Sequence, residues 1–213
     1  VLRYAVLLDG GFVRRKLGTA AKPVTAHDVG ALIASLSALR ELAEMRLHRV
    51  YFYDAKPLDS TEDLPFGGGT IDFGASPSAA NNRSLQATLS RQAFFALRFG
   101  ELHSEGWRIK KKVLKKKGPK VEITAADFEP NIRQKGVDMR IGLDIASLTL
   151  KRHADVIVLV TADSDFVPAM KFARREGAQL LLVTLGHGVR EAMREHADLV
   201  IDAYPLPKAA AAA

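Results

Sequence analysis

The 213-residue chain is 47% hydrophobic, enough for one full-sized core, and has no apolar run long enough to span a bilayer. Zero cysteines exclude disulfides and thiolate metal ligands and agree with a reducing cytoplasm. The formal charge of +7 favours polyanionic partners, and where that charge lies is the better guide to which ones. Val1 opens directly into a strand pattern rather than a basic and apolar leader, so the expected location is cytoplasmic, with no membrane association.

Tyr4 to Asp9 (YAVLLD) is an apolar run bounded by Gly10 and Gly11, the pattern of a buried parallel strand. A short helix follows through Val13 and Leu17. After Pro23, Thr25 or Asp28 can cap a helix whose apolar positions Val29, Leu32, Ile33, Leu36 and Leu39 recur at three and four. Residues 47–54 (LHRVYFYD) form a second strand ending in Asp54. Residues 56–82 are rich in Pro, Gly, Ser and Asp without a period, which predicts a long flexible insertion. Leu85, Leu89, Ala93, Phe94, Leu97 and Leu102 then resume helical spacing, with Gly106 ending that helix. WRIKKKVLKKKG and KVEIT, broken by Gly118 and Pro119, predict a basic hairpin or edge segment over residues 107–124.

The last third alternates regularly: a helix over about 137–151, the strand DVIVLV, a helix over about 166–176, the strand QLLLVTL, a helix over 189–196 and the strand DLVIDA. Strands alternating with helices require parallel crossovers. The expected fold is therefore α/β, a three-layer α/β/α sandwich with a mainly parallel central sheet, forming a single domain over residues 1–205. The tail over 206–213 carries no fold information.

Three carboxylates sit where apolar strands run out: Asp9 after YAVLL, and Asp163 and Asp165 after VIVLV. Open α/β sheets bind ligands outside the carboxyl ends of their strands, which predicts an acidic cluster on one rim. Gathered carboxylates repel one another unless a hard cation such as Mg²⁺ or Mn²⁺ sits among them. The bland alternatives are helix capping for Asp163 and Asp165, a turn residue for Asp9, and a loop-entry residue for Asp54. Thr161 and Ser164 flank the acidic pair as support. Lys110, Lys111, Lys112, Lys115, Lys116 and Lys117 can neutralise several phosphates, or else guard an edge strand against aggregation. Trp107 reads as core or as a base-stacking surface, and His187, between two glycines, reads as a phosphate contact. No histidine spacing suggests zinc.

YAVLLDGGF, KGVDMRIGLD and VTADSDFVPAMKFARREGAQLLLVTL together resemble the NYN domain, a PIN-like group of metal-dependent nucleases, from Tyr4 to about Ala203. The resemblance implies a metal site lined by Asp9, Asp138, Asp163 and Asp165. Asp144, six residues after Asp138 and so turned well away from it on a helix, is implied only as a weaker, groove-facing contributor. It further implies Mg²⁺ or Mn²⁺ as cofactor, phosphodiester hydrolysis without a nucleophilic side chain, and RNA sooner than DNA as partner. Many relatives carry an Asn shortly after the first acidic residue, where this chain reads Asp9, Gly10, Gly11, Phe12. The alternative is a nucleic-acid-binding or scaffold module with a weakened site. A dinucleotide enzyme would need a G-x-G-x-x-G turn that DGGF lacks. Homo-oligomer formation is left open.

Overall fold

The computed structural model describes residues 1–203 apart from Lys116 and Pro119. In chain order its elements are β1 (Arg3–Asp9), α1 (Gly10–Leu17), α2 (Ala26–Ser37), β2 (Arg46–Ala55), β3 (Thr61–Asp63), β4 (Thr70–Asp72), α3 (Pro77–Leu89) and β5 (Phe95–Ile109). There follow β6 (Phe128–Lys135), α4 (Val137–Leu150), β7 (Val156–Val160), α5 (Val167–Arg175), β8 (Gln179–Val183), α6 (Glu191–Glu195) and β9 (Leu199–Ile201).

Seven strands form one sheet in the order β6-β5-β2-β1-β7-β8-β9, parallel except for β6, which runs antiparallel to β5. Because successive side chains point to opposite faces, β1 feeds two cores at once. Tyr4, Val6 and Leu8 pack with α1, α2 and α3, while Ala5 and Leu7 pack with α4, α5 and α6. Burial on both faces is why the central strands read as unbroken apolar runs. The result is the expected α/β/α sandwich with a mainly parallel sheet, in a PIN-like arrangement.

Topology fixes where the site lies. From β1 the chain builds outward through β2, β5 and β6, then returns to add β7, β8 and β9 on the other side. The direction of winding therefore reverses between β1 and β7. Their carboxyl ends form the crevice where open α/β sheets bind ligands.

Three local expectations change; in the first, KVEIT forms no strand, and the strand that pairs with β5 is β6, Phe128–Lys135. The helix expected through Leu102 ends at Leu89; Phe94 takes a left-handed conformation (φ 66°) and residues 95–109 form the long strand β5. Residues 56–82, expected to be an irregular insertion, contain β3, β4 and the first turns of α3. Ser76 caps α3 through the Ala79 N–H at 3.2 Å, and Pro77 occupies its first turn, so the start signal is Ser-Pro inside a stretch that otherwise reads as loop.

β5 pairs with β2 as far as Gly100 and then continues past the rim, with β6 returning beside it from Ile109↔Phe128 to Glu101↔Lys135. Residues 101–109 span roughly 30 Å at about 3.3 Å per residue. This hairpin is an arm rising from the carboxyl end of the sheet, and Asp138 follows directly at its base.

Candidate active site

Asp9 ends β1 and caps α1. One carboxylate oxygen accepts from the Phe12 N–H at 3.0 Å, and the other accepts from the Thr161 hydroxyl at 3.0 Å. Gly10 is needed beside it, since a Cβ there would stand 2.5 Å from the Tyr53 carbonyl oxygen. At Gly11 a Cβ would make ordinary contacts, 3.4 Å from Asp9 Oδ1 and 3.5 Å from an Arg15 guanidinium nitrogen. Gly11 thus leaves open the space between the carboxylate and the guanidinium.

Thr161, fully buried after β7, holds both strands of the crevice together. Its hydroxyl donates to Asp9 and accepts from the Asp163 N–H at 3.2 Å. Asp163 in turn caps the 3₁₀ turn Ser164–Phe166, accepting from the Asp165 N–H at 2.9 Å. The capping role and a place on the acidic rim coincide in Asp163, so neither excludes the other. Ser164 lines the same cleft as Asp163.

Asp138 lies in the first turn of α4, after Gly136 in a left-handed conformation. Desolvation, followed by the negative charges of Asp163, Asp9 and Asp165, raises its carboxyl above the usual range. The four expected acids therefore share one electrostatic neighbourhood. Among the described residues, however, no group of three or more His, Cys, Asp or Glu side chains stands close enough to hold one ion. Like charges avoid one another, and Asp9 and Asp163 turn their oxygens to nearby N–H and O–H donors. In its donor chemistry the set suits a hard cation, since every donor is oxygen.

Asp144 has other partners. It accepts from the Tyr53 hydroxyl at 2.9 Å and from the Arg98 guanidinium at 3.0 Å. Burial, then the adjacent Asp144 charge, pushes the Tyr53 hydroxyl far above its usual range. Asp54 is not a loop-entry residue but a buried anchor, ion-paired with Arg14 and accepting from the Gln86 amide at 2.9 Å.

A cleft of about 550 Å³ opens beside Asp9 and Asp163, and its other wall is cationic: Arg15, Lys16 and Arg190, with His187. Whereas Arg14 is spent on Asp54 and Arg194 on Asp202, none of Arg15, Lys16 and Arg190 has an ion-pair partner among the described residues. His187 packs edge-on to Phe12 with ring centroids 6.0 Å apart. Sequence reasoning marked His187 but missed the three cations. For Arg15 and Lys16 the signal was RRK about a turn after the first strand's acid, hidden because consecutive basic residues on a helix face different ways, and Arg190 had no such signal because it lies far along the chain.

Lys111, Lys112, Lys115 and Lys117 are exposed at the outer end of the arm, while Lys110 is half-buried and donates to the Ala126 carbonyl at 2.8 Å. Lys116 lies outside the described residues. The basic run is thus carried away from the rim instead of lying beside the carboxylates. Trp107 is part-exposed on the arm, its indole N–H donating to the Asp63 carbonyl at 2.9 Å.

A mainly parallel sandwich with acids gathered at its switch point defines a PIN-like α/β domain. The chain belongs to the NYN domain family, whose model matches residues 5–204. It is similar to an uncharacterized protein of Methanocaldococcus jannaschii, 34% identical over 74 residues, which cover 35% of this chain and 31% of that protein. The match therefore spans less than a third of the relative's length. A crystal structure of a protein of unknown function from Vibrio parahaemolyticus is similar in fold at 13% identity, with a TM-score of 0.53, covering 93% of this chain and 91% of that one. The family is a PIN-like nuclease group whose members generally use divalent metals. Among the described residues no helix is long and apolar enough to cross a membrane.

Proposed function

We propose that the chain is a divalent-metal-dependent ribonuclease of the reducing cytoplasm. In this reading Asp9, Asp138, Asp163 and Asp165 hold Mg²⁺ or Mn²⁺ and the lysines of the basic run in the sequence, Lys110, Lys111, Lys112, Lys115, Lys116 and Lys117, hold RNA. The carrying observation is that Asp9 and Asp163, at the carboxyl ends of β1 and β7, are tied through one Thr161 hydroxyl and line one cleft. A bound divalent cation supplies charge neutralisation there and a lowered pKa for water at neutral pH. The chain's own residues do the rest. Thr161 fixes Asp9 relative to Asp163, and Arg15, Lys16 and Arg190 offer unpaired cations to the phosphodiester entering the cleft. No side-chain nucleophile is required.

A second reading, a nucleic-acid-binding module with a weakened site, is favoured by one observation: both oxygens of Asp9 are already engaged by protein donors. The two separate in one assay, in which purified protein meets single-stranded RNA and DNA with Mn²⁺, Mg²⁺ or EDTA. The nuclease reading expects RNA cleavage with Mn²⁺ or Mg²⁺ and none in EDTA. Asp9→Asn should slow it by about 100-fold or more, since even outer partners of metal ligands cost about 10–100-fold. RNA bound but uncut under every condition would favour the module, and full activity in Asp9→Asn would reveal a contaminating nuclease.

A further inference from the structure

Phe66 stands out as the most exposed aromatic residue in the described chain, 74% accessible, and its backbone is left-handed at φ 58°, ψ 31°. A bulky side chain takes that conformation only where the surroundings impose it, and such outliers cluster at ligand-binding positions. Gly67 and Gly69 beside it also have positive φ, so the segment PFGGG is built for this path, yet the chain places an aromatic where glycine would be free of strain.

The surroundings hold the ring out. The Leu64 N–H bonds the Gly69 carbonyl at 2.7 Å and the Gly68 N–H bonds the Pro65 carbonyl at 3.2 Å, closing the loop between β3 and β4. A Cβ at Gly68 would stand 2.7 Å from Ala125 Cβ, so the loop lies directly on the arm, and the Trp107 indole ties the arm to Asp63. Phe66 meets Phe128 edge-on, ring centroids 5.6 Å apart and planes at 70°. Phe128 pairs with Ile109, one residue before the lysine run begins.

We propose that Phe66 is a base-stacking subsite for single-stranded nucleic acid, held against the arm beside the start of the lysine run and apart from the acidic cleft. Every base presents an aromatic face, so the contact is tolerant of sequence, but the base must be unpaired to reach it. Lys111, Lys112, Lys115 and Lys117 supply backbone neutralisation alongside. The subsite rests on the reading that the chain binds nucleic acid, not on its cleaving it.

The test measures binding in EDTA with Asp9→Asn protein, by fluorescence anisotropy of a labelled single-stranded RNA and a blunt RNA duplex. Phe66→Ala should weaken single-strand binding roughly tenfold, the scale of one lost base stack, and leave duplex binding unchanged. Phe66→Trp should retain affinity. Phe66→Gly should lose affinity while its thermal midpoint holds or rises, because strain is relieved. Unchanged single-strand affinity in Phe66→Ala would overturn the proposal, as would equal losses for single strand and duplex with a falling midpoint, which would make the ring a structural contact with Phe128. Absence of any RNA binding by the parent protein would overturn it as well. Absence of cleavage in the separate metal assay would count against the nuclease reading alone.

Discussion

Thr161 does at the residue scale what the whole site depends on. One buried hydroxyl donates a hydrogen bond to Asp9 and accepts one from the Asp163 backbone N–H, so two acids at the ends of different strands keep a fixed relation despite their repulsion. Among the described residues no donor bonds the Asp138 carboxyl in this way, and it bears the electrostatic cost. Its folded carboxyl is raised above the unfolded value of about 3.9, so across that interval the folded chain binds more protons than the unfolded one. Stability therefore falls as pH rises from the unfolded value through the folded one, and the cost remains in full at neutral pH. Asp138→Asn is expected to melt higher than the parent protein in EDTA at pH 7, with the difference vanishing below about pH 4. Differential scanning fluorimetry across pH reads this directly; a lower midpoint for the variant at pH 7 would mean that the carboxylate is stabilised and not repelled.

The arm is the element that sequence patterning misjudged most. Periodicity found β1, β2, β7 and β8 because burial on both faces writes itself as apolar runs, and it found α2 through apolar positions recurring at three and four after Thr25 or Asp28, which in the fold form a capping box together. It failed across 90–106, where Leu97 and Leu102 keep nearly helical spacing with Leu85 and Leu89 although the helix has stopped and a strand begins. Past Gly100 the strand leaves the core, so its residues alternate only weakly between half-buried and exposed. The acids Asp9, Asp163 and Asp165 were legible because a charge ending an apolar strand has few other reasons to be there, and Asp138 through the resemblance of KGVD. The cationic wall was not, since only the fold brings the 187–190 loop to α1. If the arm lysines track a phosphate backbone, reversing Lys111, Lys112, Lys115 and Lys117 to Glu should weaken RNA binding for every sequence. The slope of log affinity on log salt should flatten by roughly 0.7 per lost single-strand contact. Anisotropy at several salt concentrations measures both, and an unchanged slope would leave these lysines as a solvated tip.

At the scale of the molecule, winding reversal at β1 and β7 sets an acidic crevice beside a cationic wall, and the arm adds a second basic region beyond it. A strand of RNA bound along this path would meet lysines first, then the rim where the carboxylates lie. In the proposed nuclease reading those carboxylates share a cation. Anomalous diffraction from crystals grown with Mn²⁺ tests it most directly. A manganese peak is expected at the carboxyl ends of β1 and β7, coordinated by Asp9 and Asp163 with Asp138 turned toward it, and lost in Asp163→Asn. Ordered carboxylates with no peak among them at saturating Mn²⁺, or a peak held elsewhere on the chain, would contradict it.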